Sequence, residues 1–348
     1  MRENSTKKLL SVLQGHISEI PPVWLMRQAG RYLPEYREIR SKVPSFLDLC
    51  YTPDLATEVT LQPIRRFGFD AAILFSDILV VPHGLGCHVA FQDGEGPVVQ
   101  AITGEDDFAI LQPERVTEHL VPVYEAVRNI RTALPESVTL IGFAGAPWTV
   151  ATYMLEGKTS KQFQTAKKFA YQRPDLFQKL LDILVESTAQ HLIFQAKAGA
   201  EVLQIFDSWA GVVPAPVFDA WIVAPTHAIV EKVQATVPGI PIIGFPKGVG
   251  LQFSRYAKQT GITAIGLDYT VPVSYPAEQL PQPFPVQGNL DPVQLLASKE
   301  GTIAGVRKIK QAWKDRPYIL NLGHGILPST PISHVETLIE TVRNNHVG

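Results

Sequence analysis

The sequence has little of what several classes of protein require. Only two of its 348 residues are cysteines, Cys50 and Cys87, which argues against a disulfide scaffold and fits a reducing compartment. No apolar run reaches the ~18 residues of a membrane span, and the first ten residues are too polar for a signal peptide. The formal net charge of −2 gives no support for general binding to nucleic acid or to a membrane surface. We therefore expect a cytoplasmic protein that meets any anionic ligand with local positive charge.

Short β-branched runs alternate with longer segments of helical period along the whole chain. The eight candidate strands are residues 23–26, 71–76, 138–144, 202–207, 241–245, 264–268, 285–289 and 318–322. The candidate helices are residues 54–66, 113–133, 174–198, 216–236, 250–260, 300–313 and 332–344. Eight parallel βαβ units predict an α/β fold, a single (β/α)8 barrel of the TIM type.

This barrel is expected to form one domain, residues 1–348, in which residues 1–20 are an N-terminal extension or a helix packed on the barrel. No linker of low complexity divides the chain. The stretch from Pro82 to Ile102 has a turn sequence at residues 93–97 between two arms that contain valine and phenylalanine. This pattern predicts a β-hairpin inserted after the second strand.

Two arginines four positions apart, Arg27 and Arg31, follow the first candidate strand. Each guanidinium offers a planar fork of donors that matches a carboxylate or a phosphate. The glycine between them lets the backbone bring both forks to one molecule. The alternative is that both are surface arginines, with ion-pair partners at Glu35 or Glu38.

Polar and glycine residues follow the candidate strands, and barrel active sites are built at the carboxyl ends of strands. Besides the arginines, the candidates are Ser76, Asp77, Tyr153, Asp207, Ser208, Lys247, Asp268, Asn289, Asp291, Asn321 and His324. Asp77 lies between two apolar runs, and a buried carboxylate demands a partner. For Asp268 and Asp291 a turn or a helix cap is the favoured interpretation.

Seven segments, in order along the chain, resemble the uroporphyrinogen decarboxylase family. They are PVWLMRQAGRYLPEYR at 22–37, LFSDIL at 74–79, IGFAGAPWT at 141–149, TYMLEG at 152–157, FDSWAG at 206–211, QGNLDP at 287–292 and NLGHGI at 321–326. The resemblance implies a (β/α)8 barrel, usually a homodimer, with no metal and no cofactor. It implies the conversion of the four acetate side chains of uroporphyrinogen III to methyl groups, which gives coproporphyrinogen III in tetrapyrrole biosynthesis.

The resemblance also implies which residues contact the substrate. They are Arg27, Gln28, Ala29, Gly30, Arg31, Asp77, Tyr153, Ser208 and His324. Five of them are the candidate catalytic residues: Arg27, Arg31, Asp77, Tyr153 and His324. For Ser208 an ordinary helix N-cap is the alternative to a bond with a substrate carboxylate.

The chemistry of this reaction accounts for the residue types. Loss of carbon dioxide leaves an electron pair on a methylene carbon, which needs an electron sink. Protonation of a pyrrole carbon next to nitrogen makes the substrate its own sink, and an ionised Asp77 can stabilise the positive charge that develops. The arginines can position the eight carboxylates of the substrate. The proton donor stays open among Tyr153, His324 and water, since arginine is a poor acid.

Three other functions fit parts of the sequence. Lys247 at a strand end can form a Schiff base, as in barrel aldolases, although a lysine before glycine is more often solvated or phosphate-binding. A zinc-dependent, corrinoid-linked methyltransferase needs a His/Cys/Cys cluster, to which His83, Cys87 and His88 are the nearest approach. A non-catalytic tetrapyrrole carrier would keep the arginines but would have no need for Asp77.

Overall fold

The computed structural model describes residues 7–92 and 96–344. In these ranges the strands are β1 (Ala71–Ile73), β2 (Val89–Gln92), β3 (Gly96–Val99), β4 (Thr139–Gly145), β5 (Val202–Asp207), β6 (Ile242–Pro246), β7 (Ala264–Gly266), β8 (Val286–Leu290) and β9 (Tyr318–Leu322). Seven of them form one sheet in the order β1-β4-β5-β6-β7-β8-β9. Every neighbouring pair in this sheet is parallel. Its carboxyl ends therefore share one edge.

Helices cover the sheet and connect its strands. The α-helices of the described ranges are α1 (Lys8–Leu13), α2 (Pro34–Arg40), α3 (Phe46–Cys50), α4 (Pro53–Phe67), α5 (Val80–Gly84), α6 (Val116–His119), α7 (Val121–Ala133), α8 (Pro147–Glu156), α9 (Gln164–Gln172), α10 (Pro174–Ala198), α11 (Ala224–Thr236), α12 (Phe253–Gln259), α13 (Tyr275–Gln279), α14 (Gln294–Ala297), α15 (Lys299–Trp313) and α16 (Ile332–Arg343). Proline occupies the first turn of α4, α8 and α10, where its missing N–H costs no helical hydrogen bond. A short π-helix, Asp219–Val223, leads into α11.

The sheet is strongly curled, because side chains from strands far apart in its order meet in the interior. Trp24 Nε1 donates to Gln287 Oε1 at 3.0 Å, and Gln287 Nε2 donates to Gln204 Oε1 at 3.2 Å. Gln204 lies on β5 and Gln287 on β8, with β6 and β7 between them. These two buried hydrogen bonds connect side chains across the interior of the sheet.

Residues 22–24 lie between the two edge strands of the sheet. Leu320 on β9 donates its N–H to Pro22 O at 2.9 Å and accepts from Trp24 N at 3.3 Å. On the other side, Asp70 N, next to β1, donates to Val23 O at 2.9 Å. One short segment thus bonds to both edges of the sheet.

Seven of the eight predicted strands are present, with ends that differ from the prediction by at most three residues. The predicted first strand, residues 23–26, is wrong as a strand, since it contributes only a parallel bridge between Val23 and Leu320. The physical reason is a turn that begins at Leu25, whose carbonyl accepts from Gln28 N at 2.9 Å. The chain therefore leaves the extended conformation directly before the first arginine.

The long predicted helices are confirmed, and α10 has the predicted bounds. The segment predicted as one helix over residues 113–133 is divided into a 3₁₀ turn, α6 and α7, because Pro122 at the start of α7 cannot continue the helix before it. Helix α8 was not predicted because nearly all of its residues are buried, so that it lacks an amphipathic period.

The predicted hairpin is confirmed as an antiparallel pair of β2 and β3, in which Val89 lies opposite Val99. The first residues of the predicted segment form α5 instead, and residues 93–95 of the predicted turn lie outside the described ranges. At the N-terminus, residues 7–20 include α1, whose Leu9, Val12 and Leu13 are buried. Residues 1–6 of the predicted extension lie outside the described ranges as well.

A single hydrophobic cluster extends from Leu9 to Val342 and includes residues of nearly every strand. The interior positions of the central strands are buried on both faces, as expected for a parallel sheet covered by helices. Among the helices of residues 7–92 and 96–344, none is long and apolar enough to cross a membrane.

The buried His191 on α10 predicts a loss of stability in mild acid. Burial lowers the pKa of its imidazole to about 3, and Tyr124 Oη lies 3.2 Å from its Nδ1. The unfolded chain takes up a proton at this histidine below about pH 6.5 while the folded chain does not. We expect this group alone to lower the free energy of unfolding by about 2 kcal/mol between pH 7 and pH 5.

Urea unfolding of the protein and of His191→Gln over this pH range measures the effect. Because His324 shifts in the same direction, the difference between the two proteins isolates His191. Equal pH slopes for both proteins would contradict the prediction.

Candidate active site

Five of the candidate side chains come within electrostatic reach of one another at the carboxyl edge of the sheet. The charge of Arg27 acts on the pKa values of Asp77, Tyr153, Lys247 and His324. Four of these residues lie in the segments that follow residues 22–24, β1, β6 and β9, and Tyr153 lies on α8, the helix after β4. The parallel sheet therefore gathers these five side chains at one end, as predicted, and we call the region that they line the mouth.

Arg27 is held in an unusual backbone conformation. Its φ of 62° lies in the left-handed region, which a residue with a Cβ rarely adopts. The loop that carries His324 packs on it, since Ile326 N donates to Met26 O at 2.9 Å. A Cβ added at Gly325 would lie 2.4 Å from Arg27 Cδ. Because Gly325 has no side chain, there is room beside it for the Arg27 side chain.

This close approach makes Gly325→Ala a test of how the arginine is positioned. The new methyl group must push Arg27 aside, so we expect KM for an anionic substrate to rise about tenfold, the equivalent of about 1.4 kcal/mol. The free energy of unfolding should change little, since the Arg27 side chain is exposed. Gly104→Ala is the matched control, because a Cβ there meets no atom within 4 Å. Equal KM values for the two variants would refute this positioning role.

Neither arginine has the ion-pair partner that the alternative interpretation required. Glu35 bonds Arg66 at 2.8 Å, and Glu38 bonds Lys42 at 2.8 Å. Arg27 and Arg31 are both exposed, and neither forms a salt bridge with another part of the described chain. Two unpaired guanidiniums at the mouth are available to an external anion.

The three residues between the arginines form a tight turn. Gln28 is buried, and its side chain accepts from Leu25 N at 3.1 Å and donates to Ala71 O at 3.0 Å. The Gln28 side chain supports the turn, as does its backbone, whose N–H donates to Leu25 O at 2.9 Å and whose carbonyl accepts from Tyr32 Oη at 2.8 Å. Substrate binding by Gln28 stays a prediction. At Gly30 a Cβ would lie 3.1 Å from Arg27 O, and Ala29 packs at the edge of the core.

Asp77 is partly buried in the turn after β1, where its Oδ1 accepts from Leu79 N at 2.8 Å. Burial raises the pKa of its carboxyl, while the Leu79 hydrogen bond and the charge of Arg27 lower it. Among the described residues this carboxylate has one backbone donor, Leu79 N, and the charge of Arg27 opposes its desolvation. A partly buried carboxylate beside a cation is typical of functional sites, and a catalytic role for Asp77 stays a prediction.

The two candidate proton donors are both held in their neutral forms. Burial raises the pKa of the Tyr153 phenol, and the Asp77 carboxylate adds to the rise. Burial, Lys247 and Arg27 together lower the pKa of His324 to about 3. Near pH 7 each side chain is a neutral hydrogen-bonding group, and neither holds a proton that leaves easily.

Ser208 lies directly after β5, partly exposed, and it is not the helix cap of the alternative interpretation. The 3₁₀ turn Ala210–Val212 begins after Trp209. No hydrogen bond of the Ser208 hydroxyl is formed within the described chain, in contrast to its neighbour: Trp209 N donates to Thr149 Oγ1 at 3.0 Å. The serine hydroxyl is thus available to a ligand.

The buried Asp207 beside Ser208 supports this loop from beneath. Its Oδ1 accepts from Thr149 Oγ1 at 2.5 Å, and burial raises the pKa of its carboxyl to about 7. The Thr149 hydroxyl connects this carboxyl to the backbone of Trp209. Asp207 therefore contributes to the position of the loop.

An apolar floor, which sequence reasoning missed, lies beneath these polar groups. It consists of Phe143, Phe206 and Phe245, whose ring centroids are 5.6 Å apart for the first pair and 5.9 Å for the second. The sequence signal for this floor is the position of each phenylalanine near the end of its predicted strand. Side chains two positions apart on a strand lie on the same face, so Gln204 and Phe206 both face the interior.

Comparison with known proteins agrees with this geometry and with the motifs. A family model described as "Uroporphyrinogen decarboxylase (URO-D)" matches residues 4–345. The chain belongs to the uroporphyrinogen decarboxylase family. A protein named uroporphyrinogen decarboxylase from Chelativorans sp. (strain BNC1) is 53% identical over 341 residues, 98% of this chain and 99% of its own. The protein of the same name from Rhodospirillum rubrum is 50% identical over 337 residues, 97% of each chain.

Solved structures similar to this member of the uroporphyrinogen decarboxylase family show the fold alone. A methyltransferase from Methanosarcina mazei has a TM-score of 0.79 at 19% sequence identity, over 97% of this chain and 98% of its own. A putative vitamin-B12-independent methionine synthase from Listeria monocytogenes has a TM-score of 0.55 at 12% identity, over 93% and 94% of the two chains. The family resemblance inferred from the motifs is confirmed by the family model and by the relatives of the same name.

Two of the other strand-end carboxylates in this family member have the predicted structural roles. Asp268 is buried, and its two oxygens accept from Gly248 N at 2.7 Å and Thr270 N at 2.8 Å. Asp291 accepts from Val293 N at 2.9 Å. Both carboxylates complete turns, as the sequence indicated.

The histidines that the methyltransferase alternative required do not form a metal site. Within residues 7–92 and 96–344 no three His, Cys, Asp or Glu side chains are grouped so that they could hold a metal ion. His83 instead bonds Tyr51 Oη at 2.9 Å and His119 Nε2 at 3.0 Å through its Nδ1. The nearest approach to a His/Cys/Cys cluster is thus a hydrogen-bonded aromatic group.

Proposed function

We propose that this mouth removes the four acetate carboxylates of uroporphyrinogen III as carbon dioxide, giving coproporphyrinogen III in haem or chlorophyll biosynthesis. Family membership over nearly the whole chain makes the enzyme a carboxy-lyase of this kind. The observation that carries the assignment of residues is the partly buried Asp77, whose charge is balanced by an arginine without a salt-bridge partner. A polyanionic substrate and a cationic transition state need these two features together.

Arg27 and Arg31 bind substrate carboxylates and place the macrocycle over the apolar floor. The turn of residues 28–30 offers the backbone N–H groups of Ala29 and Gly30, and the hydroxyl of Ser208 binds a further carboxylate. The partly exposed ring of Phe206 faces the tetrapyrrole, and the buried rings of Phe143 and Phe245 pack against it. In such a site an acetate carboxylate loses hydration as it approaches the floor.

Asp77 in its ionised form accepts hydrogen bonds from pyrrole N–H groups. A proton added to the pyrrole carbon next to nitrogen creates a conjugated cation, which the carboxylate stabilises. The acetate then releases carbon dioxide, and its bonding electrons move into the ring system. Protonation of the exocyclic methylene carbon gives the methyl group, and loss of the first proton restores the pyrrole.

Tyr153 and His324 act as neutral groups that bind and polarise the substrate. Since burial keeps the phenol protonated and the imidazole neutral, each donates a hydrogen bond at pH 7. Carboxylates of the bound substrate oppose the effect of Lys247 and Arg27 on His324 and raise its pKa. The proton required by the pyrrole carbon comes from a water molecule or from a histidine charged in this way.

The remaining parts of the proposal concern the assembly of the enzyme. Residues 22–24 close the curled sheet into a single (β/α)8 barrel of one domain, because they bond both of its edges.

The chemistry proceeds without a metal or cofactor, since the protonated substrate is its own electron sink. The enzyme is cytoplasmic and forms a homodimer. Support for the dimer comes from Leu251 and Val293, which are 77% and 54% exposed in loops after β6 and β8.

An anaerobic assay with uroporphyrinogen III tests the function directly. The products, oxidised to porphyrins, are separated by their number of carboxylates. We expect hepta-, hexa-, penta- and tetracarboxylate species in sequence, with unchanged rates after exhaustive chelation of metals. Tight binding without loss of carboxylates would overturn the proposal in favour of a carrier. Sedimentation that shows only monomer at every concentration would refute the homodimer.

A further inference from the structure

The loop after β6 places a third cation at the mouth. The backbone of Lys247 is fixed, because its N–H donates to Asp207 O at 3.0 Å and its carbonyl accepts from Gly211 N at 2.9 Å. A Cβ at Gly211 would lie only 2.4 Å from Gly248 O, so the loops after β5 and β6 are in direct backbone contact. The starting point of the Lys247 side chain is therefore well defined.

The Lys247 ammonium has no carboxylate partner in the described chain. Its Nζ lies 5.8 Å from the centroid of the Trp209 ring. Asp268 is the acidic residue that acts on it electrostatically, but both oxygens of that carboxylate accept hydrogen bonds from Gly248 and Thr270. A partly buried cation is thus left against an aromatic face, with no carboxylate of the described residues bonded to it.

The surroundings of Lys247 disfavour its positive charge. Burial lowers its pKa, and so does the positive charge of Arg27. Lys247 and Arg27 also act together on His324. Two cations that repel each other in a partly dehydrated mouth are stabilised by an anion placed between them.

We propose that Lys247 binds a substrate carboxylate on the side of the mouth opposite the two arginines. The supporting geometry is its place after β6, the middle strand of the seven, whereas the arginines follow the segment between the two edge strands. The ligand is one carboxylate of a polycarboxylate macrocycle, so this inference rests on the proposed function. Lys247 thereby acts as a binding and positioning group, and it forms no covalent bond with the substrate.

The test compares three variants in the anaerobic assay. Lys247→Gln removes the charge, Lys247→Arg keeps it, and Lys258→Gln removes one exposed charge from α12 as the matched control. For Lys247→Gln we expect KM to rise about tenfold with kcat within about twofold, as for the loss of a charge-assisted hydrogen bond. We also expect partly decarboxylated intermediates to be released, because weaker binding favours their dissociation. Lys247→Arg should restore most of the affinity, while Lys258→Gln should match the unaltered enzyme.

The salt dependence of KM supplies a second measurement, since Lys247→Gln should weaken it and Lys258→Gln should not. Unchanged KM and salt dependence in Lys247→Gln would overturn the inference, and so would a loss confined to kcat. If Lys247→Gln fails to fold, Lys247→Met keeps the aliphatic stem over Trp209 and is judged by the same criteria. An unaltered enzyme that releases no carbon dioxide would instead refute the proposed function.

Discussion

Asp77→Asn is expected to lower the turnover of uroporphyrinogen III by about 10³-fold, the upper range for removal of one electrostatic stabiliser in an active site. Asparagine has the same shape and keeps an oxygen that can accept from Leu79 N, as Asp77 Oδ1 does at 2.8 Å. It lacks the negative charge that opposes the cation formed on the pyrrole. Single-turnover rates measured anaerobically, with products separated by carboxylate number, give the effect on the chemical step.

The fold should tolerate this change, because burial already disfavours the ionised form of Asp77. Asp291→Asn is the matched control, since Asp291 lies at the same rim and its carboxylate only accepts from Val293 N. We expect this control to retain the rate of the unaltered enzyme within about twofold. Equal rates for the two variants would exclude Asp77 from catalysis, and weak substrate binding in Asp77→Asn would assign it to binding.

Arg27→Gly is expected to separate activity from stability. Glycine adopts a φ of 62° without the steric cost that arginine bears, so the free energy of unfolding should stay within about 1 kcal/mol of the original value. The same change removes the guanidinium that binds a substrate carboxylate, and we expect kcat/KM to fall about 10³-fold. Chemical denaturation and steady-state kinetics measure the two effects independently.

Removal of Arg27 should also move the acid limb of the rate profile to higher pH. Its positive charge lowers the pKa of Asp77, and that carboxyl must be ionised to stabilise the cation. Without Arg27 the carboxyl takes up a proton at higher pH, so activity disappears earlier as the solution is acidified. Arg27→Ala is the control, because it loses the guanidinium but keeps a Cβ at the strained position. Activity in Arg27→Gly within tenfold of the unaltered enzyme would rule out this binding role.

The order of strands was predictable because a buried parallel strand needs a continuous apolar run, which is visible locally. The prediction of a strand over residues 23–26 was wrong, because this extended run ends in a turn that the Gln28 side chain stabilises. A local apolar pattern cannot show that a side chain three positions away will bond the backbone and redirect it. The same limit applies to α8, whose burial on all sides removes the period that identifies a surface helix.

The sequence by itself determined the family, the alternation of strands and helices, and which candidate site residues follow the strand ends. It did so because these signals lie in neighbouring residues. Glu38 pairs with Lys42 four positions along the chain, but only the tertiary structure decided that Glu35 pairs with Arg66, which leaves both arginines of the turn without a salt bridge in the described residues. It also placed Lys247 near Arg27 and made His324 neutral. Desolvation, and charge pairing between distant residues, depend on distances between parts of the chain that only the packing of the helices and the curled sheet brings together.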